Sequence, residues 1–343
     1  MLQRVTVLIV LGSVLNLLPT YSYLQEININ LGAYYLGAHL LLFLLWLPYL
    51  RDSCWRRVVL ILGFQLVFLW SYWHPISGFY HQAKTADFSP LLAQRAYSRR
   101  GIGPGSATLK VLVANAYLRN VELVELADAL VAQEADILII TEYVRTLRET
   151  PLLEKYAYHK IVSGFGTHDI AIFSKYPWRE PPITSVSSEG ELLPPILFVR
   201  VEAPIPVIIV GLHLLPPLWQ EALESNQLLI RRVALMLRHE DSPKIVLGDI
   251  NATPFSRAYG RLTNGARLEN AFTELGYHST WHTQRPWQRF MIDHIFYGGG
   301  LWRESAERFE LPGSDHFGLV ATFRSMPEDP ASKALRESPQ TLK

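Results

Sequence analysis

The chain has 343 residues, with 32 Lys and Arg against 31 Asp and Glu for a net charge of +1, and a single cysteine, Cys54. That length suits about two domain-sized units. One thiol excludes an internal disulfide framework, so the fold rests on its core, and the place of Cys54 beside an apolar segment argues against a catalytic thiol.

Apolar residues are unevenly shared along the chain. Val5 to Leu18, Leu31 to Leu50 and Val58 to Trp73 are successive apolar runs, and crossing a bilayer takes about 20 mainly apolar residues. The second run qualifies unaided, while the first and third need their flanks. Residues 1–73 are therefore expected to be a helical membrane region with about three spans, near 5–18, 31–50 and 58–73. The loop Tyr21 to Asn30 carries no Lys or Arg, whereas Arg51 to Arg57 (RDSCWRR) has three arginines against one aspartate. By the positive-inside tendency the arginine loop is cytoplasmic, which puts everything after Trp73 outside, with Trp70, Tyr72 and Trp73 as interfacial anchors. The expectation is a multi-pass protein of the cell (inner) membrane whose domain after Trp73 is extracytoplasmic. Two other readings compete. A signal peptide over the first run lacks a small-x-small cleavage site after Pro19, and a buried hairpin of a soluble protein would be hard to cover with the remaining residues.

Residues 74–105 break the pattern with Pro75, Gly78, Pro90 and Gly101-Ile-Gly-Pro-Gly105, and read as a linker with a short helix at Pro90 to Arg99. GIGPG neither follows a strand nor carries a Lys-Ser/Thr ending, so it is a tether rather than a phosphate loop. Arg95, Arg99 and Arg100 form a solvated basic stretch within reach of lipid headgroups.

From Ser106 to Ser325 the chain alternates strands and helices, and residues 326–343 read as a disordered tail. Leu109 to Ala114 is a strand running into Asn115, and Val121 to Gln133 has apolar residues at helical spacing. Ala135 to Thr141 is a strand running into Glu142. Asp169 to Ser174 is another, and Ile196 to Glu202 with Val207 to His213 reads as a hairpin around Ala203-Pro204. Trp219 to Arg238 is a long amphipathic helix between Pro216-Pro217 and Ser242-Pro243. Lys244 to Leu247 is a buried strand closed by Gly248; Asp249 and Asn251, at i and i+2, then share one face. Leu268 to Leu275 reads as a shorter helix ended by Gly276, and Ser314-Asp315-His316 precedes a strand from Phe317 to Phe323. Strands mixed with helices without strict alternation suggest two packed sheets with helices outside. Carboxylate and amide oxygens at the ends of buried strands suit a hard divalent cation that keeps waters for a substrate phosphate.

The order Asn115, Glu142, His213, GDIN at Gly248 to Asn251, IDHIF at Ile292 to Phe296 and SDH at Ser314 to His316 resembles the series of blocks of the endonuclease/exonuclease/phosphatase family. The resemblance covers about Leu109 to Phe323. It implies a four-layer α/β/β/α sandwich, two packed mixed sheets flanked by helices, with the site at one edge. It also implies that Glu142, Asn115 and Asp315 hold Mg²⁺ or Mn²⁺, that Asp249 deprotonates the attacking water and that Asn251 holds a phosphoryl oxygen. In the same pattern Asp293 steadies His316, and His213 contacts phosphate or protonates the leaving group with Asp169 as its orienting acid. Tyr117 stands where the family often has a second polar residue.

Other groups have blander readings. His294 alternates with Asp293 and so belongs to the opposite, core side, and Asp136 and Thr141 read as structural. His278 and His282 (HSTWH) have a spacing that suits zinc on a helix, but the Ser-Thr-Trp between them argues for extended chain. Trp281, Trp287 and Phe290 precede IDHIF, where they either line a substrate groove or pack internally.

These readings converge on a membrane-anchored, metal-dependent phosphodiesterase or phosphatase. The alternatives are a nuclease acting on DNA or RNA and a non-catalytic binding domain. Residues 106–325 carry 21 Lys and Arg against 25 Asp and Glu, a balance unlike that of a duplex binder. The expected partners are a phosphate-ester substrate (lipid headgroup, nucleotide or nucleic acid) and membrane lipid, with no obligate protein partner.

Overall fold

The computed structural model describes residues 2–17, 22–51, 55–80, 107–164, 168–185 and 193–325. Cys54, the expected helix at Pro90 to Arg99, the GIGPG run, Arg95, Arg99, Arg100 and the tail 326–343 lie outside them.

Four helices come first: α1 (Leu2–Leu17), α2 (Tyr23–Asn30), α3 (Gly32–Trp46), which runs on as a 3₁₀ turn to Arg51, and α4 (Trp55–Tyr80). Two helical stretches, Gly32–Arg51 and Trp55–Tyr80, are long and apolar enough to cross a membrane. At 16 residues, α1 reaches only about 24 Å, short of a hydrocarbon core of about 30 Å. The bundle is apolar outside and holds a polar network inside, beside the buried Leu42, Trp46, Leu62 and Phe68. Leu8, Leu41, Leu60 and Phe64 are exposed, while Ser13, His39 and Gln65 are buried. Ser13 Oγ lies 2.7 Å from His39 Nε2, whose Nδ1 meets Gln65 Oε1, and Asn16 Nδ2 donates to the Tyr72 hydroxyl. In lipid, where apolar surface has no reason to hide, such polar contacts hold helices together.

The expected boundary at Trp73 falls about two turns short, because α4 continues through Pro75 to Tyr80. Tertiary contacts outweigh the lost hydrogen bond of the proline. Ile76 and Phe79 are buried in the same core as the sheets. The orphan carbonyls that end a helix also find donors, since Glu274 N reaches Gly78 O at 3.0 Å and Gly276 N reaches Phe79 O at 2.6 Å.

The remaining chain forms two six-stranded mixed sheets. The first contains β1 (Thr108–Asn115), β2 (Ile137–Thr141), β3 (Tyr158–Val162), β4 (Ile170–Ser174), β11 (Leu301–Glu310) and β12 (Phe317–Ser325) in the order β11-β12-β1-β2-β4-β3. The second contains β5 (Ile183–Ser185), β6 (Ile196–Val201), β7 (Val207–His213), β8 (Lys244–Asp249), β9 (Glu269–Asn270) and β10 (Asp293–Gly298) in the order β5-β6-β7-β8-β10-β9. Strands buried on both faces read as continuous apolar runs, and alternation sorts their residues. Val111, Val113, Ile137 and Ile139 join the core with Ile209, Ile245 and Leu247 between the sheets. Leu112, Ala114, Leu138 and Ile140 face α5 (Leu123–Ala132) through Leu126 and Leu130. On the far side α6 (Gln220–Arg238) buries Leu229, Ile230, Val233 and Leu237. Helices outside two packed sheets are the expected four layers.

The helix expected at Leu268 to Leu275 does not form. Glu269 and Asn270 pair instead with Tyr297 and Phe296. Asn270 Nδ2 lies 3.0 Å from His294 Nδ1, its Oδ1 accepts from Phe272 N, and Ala271 N donates to Ile295 O. A side chain that bonds nearby backbone competes with helix, and here the neighbouring strand takes the backbone as well.

Because Phe79 is part of the sheet core, Phe79→Ala should cost about 3 kcal/mol, read by urea unfolding of the full chain in mild detergent with tryptophan fluorescence. An unchanged midpoint would mean that α4 is an anchor and nothing more.

Candidate active site

Strand register builds the site. In the parallel pair β7 and β8, His213 stands opposite Asp249; in the antiparallel pair β8 and β10, Asp249 stands opposite Asp293. Three neighbouring strand ends thus set an imidazole and two carboxylates in a row. Gly248 makes this close approach possible, since a Cβ there would lie 1.7 Å from Leu212 O, at a φ of +152°. From the facing sheet, the ends of β1 and β2 bring Asn115 and Glu142. Asn115 Nδ2 donates to Asp249 Oδ2 at 3.1 Å and to Glu142 Oε1 at 3.3 Å, joining the sheets. Leu118 N holds Glu142 Oε2 at 2.8 Å.

A cavity of about 410 Å³ opens over this junction, lined on its polar side by Glu142, His213, Asp249, Asn251, Asp315 and His316. Tyr117, Glu142 and Asn251, all on its wall, have φ of 58°, 48° and 49°. Left-handed backbone in non-glycine residues costs about 1–2 kcal/mol apiece and gathers where a site over-determines it.

His316 is anchored at both ends: Nδ1 lies 2.8 Å from Asp293 Oδ2, and its backbone N donates to Ser314 Oγ. Its Nε2 is 4.0 Å from Asp249 Oδ2 and 3.9 Å from Asp315 Oδ1. Burial alone would lower the ring's pKa, but Asp293, Asp249 and Asp315 outweigh it and hold the imidazole charged well above its usual range. Burial drives the Asp249 carboxyl upward, Asp293 and Glu142 push the same way, and His316 with the Asn251 N–H pulls back. His213 goes the other way: burial first, then His168 and His316, hold its ring well below the usual range, hence neutral.

The donor chemistry fits a divalent cation. Glu142, Asp249 and Asp315 line one cavity, and no Lys or Arg is on its wall among the described residues. Asp249, Asp293 and His316 offer ligand atoms within 4.8 Å of one another. Asp293 and His316 are bonded to each other, though, so that trio reads as a proton network, leaving Glu142 and Asp315 as the oxygen donors. Asp315 Oδ2 accepts from Trp281 Nε1 at 2.9 Å. Asn115 Oδ1 is taken by Tyr117 N, and ligation through it calls for the amide to turn over. Asn251 Nδ2 donates to Leu214 O at 2.8 Å, and an amide nitrogen keeps a second hydrogen for another acceptor.

One expected pairing fails. Asp169 Oδ1 accepts from Gly164 N, and His213 Nδ1 has no hydrogen-bond partner among the described residues. His168 stacks on His213 instead, with centroids 4.6 Å apart. Neighbours at a strand's start point to opposite faces, so the histidine reaches the site and the acid does not. Zinc at His278 and His282 also fails: His278 Nε2 engages Leu275 O, His282 Nδ1 accepts from Gln284 N, and the chain between is extended. His294 is buried on the core side, with Nε2 at 2.8 Å from Ala252 O. Asp136 is structural, pairing with Lys110 N and Lys175. Trp281 and Phe290 line the cavity, whereas Trp287 is exposed. Sequence reasoning missed His168 and the cavity wall made by Ile27, Asn30 and Leu31 of the helical region. Alternation from Ile170 was a usable signal for the first, and none existed for the second.

Residues 112–316 match the sequence model of the Endonuclease/Exonuclease/phosphatase family. The chain belongs to that family. Among solved structures, an endonuclease/exonuclease/phosphatase from Beutenbergia cavernae DSM 12333 is similar at 17% identity, with a TM-score of 0.54 over 65% of this chain and 73% of that one. D. rerio TDP2 complexed with single strand DNA product is similar at 17% identity, with a TM-score of 0.52 over 64% of this chain and 100% of that one. At these identities the likeness is one of fold. No curated protein matches the chain.

In metal-free protein the His316 ring should stay protonated at pH 8 by ¹⁵N NMR of histidine-labelled protein. Asp293→Asn removes the bonded counter-charge and should shift the titration clearly downward. Titration near 6.5 in both proteins would remove the ion pair.

Proposed function

We propose that this member of the family is a membrane-anchored, divalent-metal-dependent phosphoesterase that hydrolyses a phosphodiester or phosphomonoester by attack of water. The observation that carries this reading is the buried row His213, Asp249, Asp293 with a charged His316 beside it and oxygen donors from the facing sheet. Pure binding does not require carboxylates crowded until one resists ionisation.

The residues divide the work. Glu142 and Asp315 would hold Mg²⁺ or Mn²⁺, with Asn115 beside them, and the bound ion supplies positive charge to the phosphoryl oxygens. Asp249, whose affinity for a proton is raised by burial and which the positive charge of a bound cation would keep ionised, accepts a proton from the attacking water. Asn251 donates its remaining amide hydrogen to a phosphoryl oxygen. His316, kept charged by Asp293, donates from Nε2 to phosphate or to the departing oxygen. His213 is neutral, a poor acid for an alkoxide, so its part is a hydrogen bond to the substrate and not proton delivery.

The apolar exterior of the helices and the buried polar contacts between them support a membrane anchor. Gly32 and Tyr34 at the start of α3 and Phe79 at the end of α4 meet the catalytic region. The opposite ends meet at Trp46 and Val58, near Arg51, Arg56 and Arg57. With those arginines cytoplasmic, the catalytic region is extracytoplasmic. A nuclease reading draws on the TDP2 structure with its DNA product, but the lack of Lys and Arg on the cavity wall among the described residues favours small esters.

Full-length protein should hydrolyse bis(p-nitrophenyl) phosphate with Mg²⁺ or Mn²⁺ and stop in EDTA, and Asp249→Asn should lower kcat at least roughly a hundredfold. Equal rates for the two proteins would take Asp249 out of the mechanism. A comparison of plasmid DNA, RNA, sphingomyelin and sugar phosphates separates nuclease from lipid or metabolite esterase. An alkaline phosphatase fusion at the C-terminus should be active in a bacterial host; an inactive, cytoplasmic fusion would reverse the topology.

A further inference from the structure

The catalytic cavity is not built from the family segment alone. Ile27, Asn30 and Leu31, from the end of α2 and the junction to α3, line it, yet the family match begins at residue 112. These residues are pinned to the catalytic loops. Asn30 Oδ1 accepts from Thr253 N at 2.7 Å and from Thr253 Oγ1 at 2.8 Å, two residues beyond Asn251. The Tyr34 hydroxyl donates to Trp287 O and accepts from Arg289 N, each at 2.8 Å, and its ring lies 5.4 Å from Phe290. Gly32 lies so close to Phe255 that a Cβ would stand 2.4 Å from the ring.

The cavity therefore has two chemically different sides. Glu142, Asp249, Asp315 and His316 form the polar one. Ile27, Leu31, Pro217, Leu218, Phe290 and Ile292 form the other. Leu218 is itself 60% exposed, and Tyr23 N bonds Gln220 Oε1 to join α2 to the start of α6. A nucleic-acid strand brings a phosphate on each side of the scissile one and wants cations to meet them. A hydrocarbon arm needs none and gains by leaving water.

We propose that the N-terminal helices supply the specificity wall of this site, and that the ester it selects carries a flexible hydrocarbon arm beside its phosphate, the chemistry of an amphiphilic lipid ester. This deepens the phosphoesterase reading and rests on it. Ile27 and Leu31 bind the arm, and Asn30 positions them by tying α2 to the loop after Asn251. Water oxygen bonds to phosphorus, the bond from phosphorus to the leaving oxygen breaks with its electron pair, and the alkylated phosphate departs along the apolar side. The water's proton passes to Asp249.

The test uses the full chain in phosphatidylcholine nanodiscs with Mg²⁺ and a series of methyl, butyl and octyl p-nitrophenyl phosphates, followed by p-nitrophenolate release. The ratio kcat/KM should rise roughly fourfold per added methylene over the first few carbons, the value of burying one CH₂. The octyl-to-methyl ratio should fall at least tenfold in Ile27→Asp and Leu31→Asp, and Leu31→Met should restore it. A chain-length dependence that is flat, or unchanged in the aspartate variants, overturns the wall and leaves the phosphoesterase reading standing. Preference for the p-nitrophenyl ester of thymidine 5′-phosphate over the octyl ester assigns the apolar side to a base and also overturns it. No hydrolysis of any ester, with Asp249→Asn indistinguishable from wild type, overturns the underlying reading instead.

Discussion

The crowding of carboxylates at one sheet junction is the constraint on which the rest of the site depends. Asp249 is flanked by His213 on one strand and Asp293 on the other, and Glu142 approaches from the facing sheet. Left alone, buried like charges repel strongly. Two things relieve them: the His316 imidazolium gripped by Asp293, and the Asn115 amide, which gives one hydrogen each to Asp249 and Glu142. The left-handed backbone at Glu142 and Asn251 is a further cost of the same gathering. A site so arranged is short of positive charge where a metal and a phosphorus centre would sit.

The two histidines show how one fold tunes like groups apart. His316 and His213 are both buried within about 4 Å of the same Asp249 oxygen. Only His316 has a carboxylate bonded to its ring, so it stays charged while His213, stacked on His168, stays neutral. Environment, not residue type, separates a proton donor from a neutral hydrogen-bond partner.

The helical region is more than an anchor for this centre. Its buried polar contacts give it a defined arrangement, its α4 end is part of the sheet core, and its α2 end forms one wall of the cavity. A bundle that holds the catalytic region at three points orients the cavity relative to whatever surface the helices occupy. In the proposed reading, substrate choice and membrane attachment would both follow from one packing arrangement.

Most strands were legible in the sequence because a strand buried on both faces is a run of apolar residues, and their ends were legible because Gly248 and the polar residues after each run interrupt it. The succession Asn115, Glu142, Asp249 and the SDH block could be read for the same reason. The turn at Leu268 to Leu275 and the last two turns of α4 could not. In both, distant backbone groups, Ile295 O for the one and Glu274 N for the other, decide a conformation that local spacing assigns otherwise. The neighbour of His213 was legible but misread, since alternation back from Ile170 puts His168 and not Asp169 on the face of the site. The sequence by itself determined which side chains stand at strand ends, because periodicity and interruption are local. Only the tertiary structure decided how those side chains share their charge and which helix closes the cavity, because the contacts join residues from 23 to 223 positions apart whose meeting no local pattern encodes.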